Sequence, residues 1–321
     1  MCAPDQGEKA FAQDVRDGLS ATPKHLSSKY FYDAKGDKLF QRIMDSPEYY
    51  LTDCENEILQ LQADDIADFF IRNAPGFDLV ELGAGDCAKT KHLLSALLKR
   101  DIDFRFYPVD ISRYTIADLE LRLPEELPGL KVSGICGEFF SALEKANTIS
   151  PKPKVVLFLG STIGNMTPDE GLDFFRQLAS KLRPGDLLLT GFDLQKNPKV
   201  ILDAYNDPAG VTRAFNLNLL ERINRELDAD FDLSRFDHYE QYDVETGACK
   251  SYLISLENQD VHIGKLNDTF HFEPNEYIFT EISQKYTAEQ IAGFALESGF
   301  APLAEFYDSR RWFTDALWRV Q

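Results

Sequence analysis

Two glycines at the end of a predicted strand could form a loop that approaches a ligand closely. Gly83 and Gly85 lie in the motif Glu81-Leu-Gly-Ala-Gly, where a strand pattern gives way to a helix pattern. Glycine permits the sharp turn and the close backbone approach that ligand binding needs at such a point. The motif is not the dinucleotide pattern G-x-G-x-x-G, because position 88 is alanine. On this motif alone, a plain glycine-rich turn remains an alternative.

Acidic residues follow the next two predicted strands. Asp110 ends the second strand 27 residues after Gly83, a suitable length for one β–α–β step. A carboxylate there can accept hydrogen bonds from ribose hydroxyls. Glu138 and Phe139 follow the third predicted strand, where the acid could meet an adenine amino group and the ring could pack on the base. Either acid alone could be a helix cap, but their order at successive strand ends favours S-adenosylmethionine over NAD.

The elements that must position these residues alternate between helix and strand from about residue 55 to 195. Apolar residues at helical spacing predict the helices, and continuous apolar runs predict buried strands. The predicted strands are Asp78–Leu82, Phe104–Val109, Lys131–Ile135, Lys154–Leu159 and Asp186–Thr190, and the predicted helices are Asn56–Arg72, Ala88–Lys99, Ser112–Arg122 and Thr167–Leu182. This order predicts an α/β fold with a Rossmann-like, doubly wound and mostly parallel sheet.

The alternation stops after about residue 195. The later segments are a helix at Tyr205–Leu227, a hairpin of Arg235–Tyr242 and Cys249–Leu256, strands at His262–Phe272 and Glu276–Tyr286, a helix capped by Thr287, and a closing hairpin of Ala304–Phe306 and Trp312–Val320. The antiparallel strands predict a second, smaller α+β domain, and the closing hairpin is expected to rejoin the main sheet. We therefore predict one domain of residues 55–195 plus 287–321 and another of residues 1–54 plus 196–286.

Charge and composition exclude several classes of protein. The formal net charge is −19, which argues against binding to nucleic acid or to an anionic membrane surface. The five cysteines and five histidines are scattered, without disulfide-like or metal-ligand spacing, so we expect a reducing, cytoplasmic location and no metal. Met1–Ser20 lacks the apolar stretch of a signal peptide. We expect a monomer that acts on a small molecule.

Longer motifs extend over nearly the whole chain. They are Pro23–Asp33, Pro47–Thr52, Glu81–Gly85 with Lys89-Thr90, Phe158–Asn165, Ala204–Asn216, Asn224–Phe231 and Thr280–Ser283. In this order they resemble the histidine-specific Nα-methyltransferases of ergothioneine biosynthesis, which convert L-histidine to its trimethylated betaine, hercynine. The resemblance implies a class I methyltransferase-like fold with a substrate-binding domain, S-adenosylmethionine as methyl donor, L-histidine as substrate and no metal.

The resemblance also implies roles for individual residues. Asn165 and Tyr205 would hold the substrate carboxylate. Tyr49, Glu281 and Ser283 would recognise the imidazole, and Tyr32 would lie near the amine, so that Tyr32 and Asn165 are the candidate catalytic residues. The implied methyl-donor site consists of Gly83, Gly85, Lys89, Asp110, Glu138 and Phe139.

The types of these residues suit that chemistry. Glu281 and Ser283 are two apart on a predicted strand, so both side chains point to one face and could grip the two imidazole nitrogens. From the pattern alone, a water-exposed strand glutamate is the alternative. Aromatic walls at Tyr32, Phe40, Tyr49 and Phe215 could accept a growing quaternary ammonium, although core packing also explains Phe40 and Phe215.

Other functions stay open at this point. Within the same enzyme class, the substrate could be another free amino acid such as tryptophan or tyrosine. The chain could also be a non-catalytic ligand-binding module or a protein-modifying methyltransferase. The expected carboxylate clamp of Asn165 and Tyr205 favours a free amino acid.

Overall fold

A computed structural model describes residues 4–100 and 102–321. Residues 1–3 lie outside the described residues. They include Cys2 and the start of the segment that is expected to lack a signal peptide. The helices are α1 (Pro4–Ser20), α2 (Ala34–Met44), α3 (Tyr50–Asn73), α4 (Thr90–Leu98), α5 (Arg113–Glu126), α6 (Phe139–Ile149), α7 (Pro168–Lys181), α8 (Pro198–Tyr205), α9 (Val211–Leu227) and α10 (Ala288–Glu297). The strands are β1 (Lys24–His25), β2 (Asp78–Leu82), β3 (Phe106–Asp110), β4 (Ile135–Cys136), β5 (Lys154–Phe158), β6 (Leu187–Asp193), β7 (Phe236–Tyr242), β8 (Ala248–Ser255), β9 (Gln259–Ile263), β10 (Asp268–Phe272), β11 (Tyr277–Gln284), β12 (Phe300–Tyr307) and β13 (Phe313–Val320). Within the described residues, no helix has both the length and the apolar character needed to span a bilayer.

The chain divides into two units, each with its own hydrophobic core. The first unit comprises Met1–Tyr50 and Lys196–Ser283, and the second comprises Leu51–Gln195 and Gln284–Gln321. We expected domain boundaries after residues 54 and 286, and the boundaries between the two units fall after residues 50 and 283.

The second unit is built on a seven-stranded sheet with the order β12-β13-β6-β5-β2-β3-β4. Along the order β6-β5-β2-β3-β4 each strand is parallel to the next, whereas β13 is antiparallel to both β6 and β12. Strands β2 and β5 are buried along their whole length, as expected for a parallel sheet covered on both faces. The predicted doubly wound fold is confirmed, as is the closing hairpin that rejoins the sheet.

The third predicted strand is much shorter than expected. The prediction was Lys131–Ile135, but β4 contains only two residues, and Val132 makes a single bridge to Phe106. The segment between Val132 and β4 contacts α5, because the Gly134 amide donates a hydrogen bond to Glu120 Oε1 at 2.8 Å. That side-chain contact interrupts the ladder, and a pattern of apolar residues cannot reveal it.

The first unit contains a four-stranded sheet with the order β1-β11-β8-β7 and a separate two-stranded sheet of β9 and β10. The pairs β7–β8 and β9–β10 are antiparallel, which confirms the predicted change of architecture. The sequence did not predict β1, which is only two residues long and pairs in parallel with β11.

Two predicted elements of the first unit are interrupted. Tyr205–Leu227 is not one helix, because α8 ends at Tyr205 and α9 starts at Val211. Asp207 accepts hydrogen bonds from the backbone amides of Val211 and Thr212, at 2.8 and 2.7 Å, and thereby starts the new helix. Likewise, His262–Phe272 is not one strand, because a short 3₁₀ turn, Gly264–Leu266, separates β9 from β10.

Candidate active site

The glycine-rich loop after β2 leaves its backbone accessible. Gly83 and Gly85 have φ angles of +76° and +53°, a region in which glycine avoids the strain of a side chain. The amides of Gly83 and Ala84 both donate to the Val109 carbonyl oxygen, at 2.9 and 3.0 Å, which ties the loop to the end of β3. Both glycines are exposed, so this loop offers bare backbone at the carboxyl edge of the sheet.

Asp110 connects the glycine-rich loop with the start of α5. Its Oδ1 accepts a hydrogen bond from the Ser112 amide at 2.8 Å, and its Oδ2 accepts a longer one from the Gly85 amide at 3.3 Å. The carboxylate is therefore oriented by two backbone donors while remaining partly accessible. Such a group has free lone pairs for the hydroxyls of a ribose.

Glu138 and Phe139 start α6, directly after β4. Glu138 is exposed at the helix N-cap and makes no side-chain capping bond. The Phe139 ring packs edge-on against Phe158, with 5.7 Å between centroids. A β-carbon on Gly83 would lie 3.8 Å from the same ring, so Phe139 forms an apolar wall beside the glycine-rich loop.

Lys89 is held at the other side of the loop by a carboxylate that the sequence did not single out. Its ammonium forms an ion pair with Glu55, a fully buried residue of α3. Glu55 also accepts hydrogen bonds from the Gly160 amide at 2.8 and 3.0 Å, and thus links the loops after β2 and β5. Burial alone would lower the pKa of Lys89, but the Glu55 carboxylate outweighs this effect and the pKa is raised.

Asn165 also follows β5, on the same carboxyl edge of the sheet. It is the last residue of a 3₁₀ turn, Thr162–Asn165, and it is exposed. The predicted cap of the next helix is Thr167, and the structure confirms it with a capping box to Glu170. Asn165 is thus not needed as the helix cap, and its amide is accessible at the edge that carries the glycine-rich loop.

The predicted aromatic residues of the first unit are neighbours of one another. Ring centroids are 5.5 Å apart for Tyr32 and Phe40, 6.3 Å for Phe40 and Tyr49, and 6.2 Å for Tyr49 and Tyr205. Phe215 packs on Tyr32 at 5.8 Å and on the buried ring of Phe31 at 4.7 Å. The series therefore runs from Tyr32 to Tyr205, with Phe215 connecting it to the core.

Strand β11 brings two predicted imidazole ligands to this aromatic series. The Tyr205 hydroxyl lies 2.6 Å from Ser283 Oγ, and both residues are buried. Glu281 is half-buried. It lies on the same face of the strand as Ser283, because the two residues are two positions apart. Thr280 points to the opposite face, where its hydroxyl donates to the Ser251 carbonyl at 3.0 Å.

Tyr32 is kept in its neutral form. Although 43% of the Tyr32 residue is exposed, desolvation of its hydroxyl group, followed by the negative charges of Glu281 and Asp37, raises the pKa of that hydroxyl well above its usual value. At physiological pH the phenol can therefore orient a hydrogen-bond partner but does not act as a phenolate base.

The expected residues fall into two sets. The donor residues and Asn165 belong to the second unit, and Tyr32, Tyr49, Tyr205, Glu281 and Ser283 belong to the first. The predicted pairing of Asn165 with Tyr205 therefore remains a prediction. Sequence reasoning missed Glu55, because an acidic residue near the start of an amphipathic helix is normally read as solvated.

The sheet order, the reversed strand β13 and the glycine-rich loop after the first strand of the sheet are those of the class I methyltransferases. The chain belongs to the family described as histidine-specific, S-adenosylmethionine-dependent methyltransferases, whose model matches residues 11–320. The predicted family and the predicted enzyme class are confirmed.

Relatives of known name agree with this family. The chain is 38% identical over 313 residues to a histidine N-alpha-methyltransferase of Mycolicibacterium smegmatis, covering 98% of this chain and 94% of that protein. It is 32% identical to ergothioneine biosynthesis protein 1 of Schizosaccharomyces pombe, over 88% of this chain and 37% of that protein. It is 27% identical to an L-tryptophan methyltransferase of Psilocybe serbica, over 92% of this chain and 89% of that protein.

Proposed function

We propose that this enzyme transfers three methyl groups from S-adenosylmethionine to the α-amino nitrogen of L-histidine, forming hercynine in the first step of ergothioneine biosynthesis. The single observation that supports it most directly is the Tyr205–Ser283 hydrogen bond beside Glu281, next to the aromatic series. The greater similarity to a histidine enzyme than to a tryptophan enzyme supports the same substrate.

The second unit is proposed to bind the methyl donor. The charges and shapes present fit it: bare backbone at Gly83 and Gly85, an ammonium at Lys89, a carboxylate at Asp110 and an apolar wall at Phe139. The donor, when bound, supplies a methyl group on a sulfonium. We assign the ribose hydroxyls to Asp110, the adenine to Glu138 and Phe139, and the donor carboxylate to Lys89.

The first unit is proposed to bind the amino acid. Glu281 and Ser283 would hold the imidazole nitrogens together with Tyr49, and Tyr205 would hold the carboxylate, for which the resemblance also implies Asn165. A site that uses a half-buried carboxylate to bind ring N–H groups should reject analogues without them, because the carboxylate would lose its partner.

Methyl transfer to an amine needs a neutral nucleophile in line with the sulfonium. Tyr32, held neutral, would orient the amine or a water molecule that carries its proton to solvent, so no buried base is required. The rings of Tyr32, Phe40 and Tyr49 would stabilise the cation that accumulates as methyl groups are added.

We further propose that the enzyme acts as a monomer in the cytoplasm. The five cysteines are scattered along the sequence without disulfide-like spacing, which supports a reducing compartment. Sedimentation of the purified enzyme tests the oligomeric state.

The experiment that tests the substrate uses a panel of free amino acids with S-adenosylmethionine, read by mass spectrometry. We expect histidine to gain three methyl groups and tryptophan and tyrosine to gain none. Methylation of an aromatic amino acid in place of histidine would support the alternative substrate, and no methylation of any amino acid would favour a binding module.

A variant pair tests the site itself. We expect Glu281→Gln to raise the KM for histidine by about tenfold or more, since the site loses a charge-assisted hydrogen bond. The matched control is Asp237→Asn, which alters an exposed acid on β7 of the same sheet and should leave the KM unchanged. Equal effects of the two variants would remove Glu281 from ring recognition.

A further inference from the structure

A second buried carboxyl group lies next to the ion pair of Lys89 and Glu55. Asp315, in the middle of β13, is completely buried, and neither of its carboxylate oxygens accepts a hydrogen bond from a donor in the described part of the chain. It pairs across the sheet with Gly191 of β6. Glu55 is within hydrogen-bonding reach of it.

Gly191 is what makes room for this arrangement. A β-carbon at this position would lie 2.3 Å from Glu55 Oε1 and 3.0 Å from the Phe313 ring. The Glu55 carboxylate therefore occupies the space directly above the glycine, beside the strand that carries Asp315. Glycine at this point of the sheet allows the second turn of α3 to place a carboxylate against strand β6.

Two neighbouring carboxylates that are buried away from water cannot both be ionised without a large free-energy penalty, because one ammonium neutralises only one of them. The groups that face Asp315 are Glu55 from α3 and Lys89 from the loop before α4, and Glu81 from β2 interacts with both of these. Burial, and then the charge of Glu55, raise the pKa of Asp315 well above its usual value. A protonated Asp315 could donate a hydrogen bond, and the neighbouring Glu55 carboxylate could accept it.

We propose that Glu55 and Asp315 share one proton, and that this carboxyl pair acts as a positioning unit that fixes the Lys89 ammonium in the methyl-donor site. The neutral Asp315 donates its O–H to Glu55. Glu55 keeps the negative charge, and pairs with Lys89 and with the Gly160 amide. This inference rests on the proposed function through the assignment of Lys89 to the donor site.

The protonation state is tested by the pH dependence of thermal unfolding. A folded-state carboxyl with a raised pKa holds a proton that the unfolded chain releases above about pH 4, so the wild type loses stability as the pH rises. Asp315→Asn has no such proton to lose. We therefore expect the Tm of Asp315→Asn minus that of the wild type to increase between pH 5 and pH 8. A constant or shrinking difference would mean that Asp315 is ionised, and would overturn the proposal.

The positioning role is tested by titrating S-adenosylhomocysteine, which occupies the donor site without turnover. Asp315→Leu keeps the site neutral but cannot donate a hydrogen bond to Glu55, so we expect its Kd to rise about tenfold. The amide of Asp315→Asn can donate, and should restore most of the affinity. Thr314→Val, a buried neighbour that points to the opposite face of β13, is the matched control and should leave the Kd unchanged.

A second variant keeps the proposal testable if Asp315→Leu does not fold. Glu55→Gln removes the carboxylate that raises the pKa of Lys89, so donor affinity should fall further as the pH rises from 7 to 10 than it does in the wild type. A loss independent of pH would indicate a merely structural role and contradict the proposal. If the wild type itself does not bind S-adenosylhomocysteine, the assigned donor site is wrong; if it binds and the variants match Thr314→Val, only the positioning pair is wrong.

Discussion

The hydrogen bond between Tyr205 and Ser283 predicts a coupling between two side chains that are distant in the sequence. Their hydroxyl oxygens are 2.6 Å apart and both residues are 7% exposed, so water replaces a lost partner poorly. Either single change, Tyr205→Phe or Ser283→Ala, should destabilise the first unit by about 1–3 kcal/mol, because the remaining buried hydroxyl loses this hydrogen bond. The double variant removes both hydroxyls and should cost little more than one single change. The expected coupling free energy is therefore about 1–2 kcal/mol.

The assay must observe the unit in which the contact lies. Both tryptophans, Trp312 and Trp318, belong to the second unit, so their fluorescence reports on the wrong part of the chain. Hydrogen exchange of peptides from β11 and α8, followed by mass spectrometry, measures local stability at the contact. If the two single changes add up in the double variant, the hydroxyl pair contributes no coupling and the reasoning is refuted. The same four proteins give the KM for histidine, which should rise in both single variants if the pair also serves the substrate.

Two further predictions concern the second unit. Asp110→Ala should weaken S-adenosylhomocysteine binding by about tenfold or more, because the oriented acceptor for the ribose is lost; titration calorimetry checks this, with the exposed Asp118→Ala of α5 as control. Burial raises the pKa of Glu81 to about 7 despite its hydrogen bonds from Thr90 and Cys87. The folded state therefore holds a proton that the unfolded chain releases above about pH 4.5, and the wild type should lose up to about 3 kcal/mol relative to Glu81→Gln between pH 4.5 and pH 7. Urea unfolding followed by tryptophan fluorescence measures the difference, and a difference that does not change with pH would contradict a raised pKa.

The main architecture could be predicted because its signals are local. Continuous apolar runs such as Lys154–Phe158 identify the buried parallel strands, and the capping residues Thr167 and Thr287 mark where two helices begin. The failures arise where distant parts of the chain intervene. Gly134 leaves the sheet because of Glu120, and the two-residue strand β1 exists only because β11 offers it an edge.

The candidate site divides in the same way. The residues that follow strand ends, such as Gly83 and Asp110, could be predicted from order along the chain. Glu55 and Asp315 could not, because their relation depends on the second turn of α3 reaching the space above Gly191. Nothing in the neighbouring sequence of either residue marks it as a partner of Lys89. An acid is recognised as functional from sequence only when its local motif demands one.

The charged residues within each unit suit a reaction in which a positive charge passes from one reactant to the other. Methyl transfer moves that charge from the sulfonium to the amino acid nitrogen, so a neutral thioether and a cation are formed. Lys89 would oppose a bound sulfonium if its charge were not neutralised, and Glu55 provides that neutralisation. In the first unit, Glu281 and the aromatic series would favour a cationic product under the proposed assignment, and burial, followed by the charge of Glu281, raises the pKa of Tyr32. A phenolate at Tyr32 would bind the product ammonium and slow its release; the neutral phenol contributes only a hydrogen bond. Under the proposed assignment, the carboxylate of Glu281 would recognise the imidazole, and its charge adds to the burial that disfavours ionisation of Tyr32.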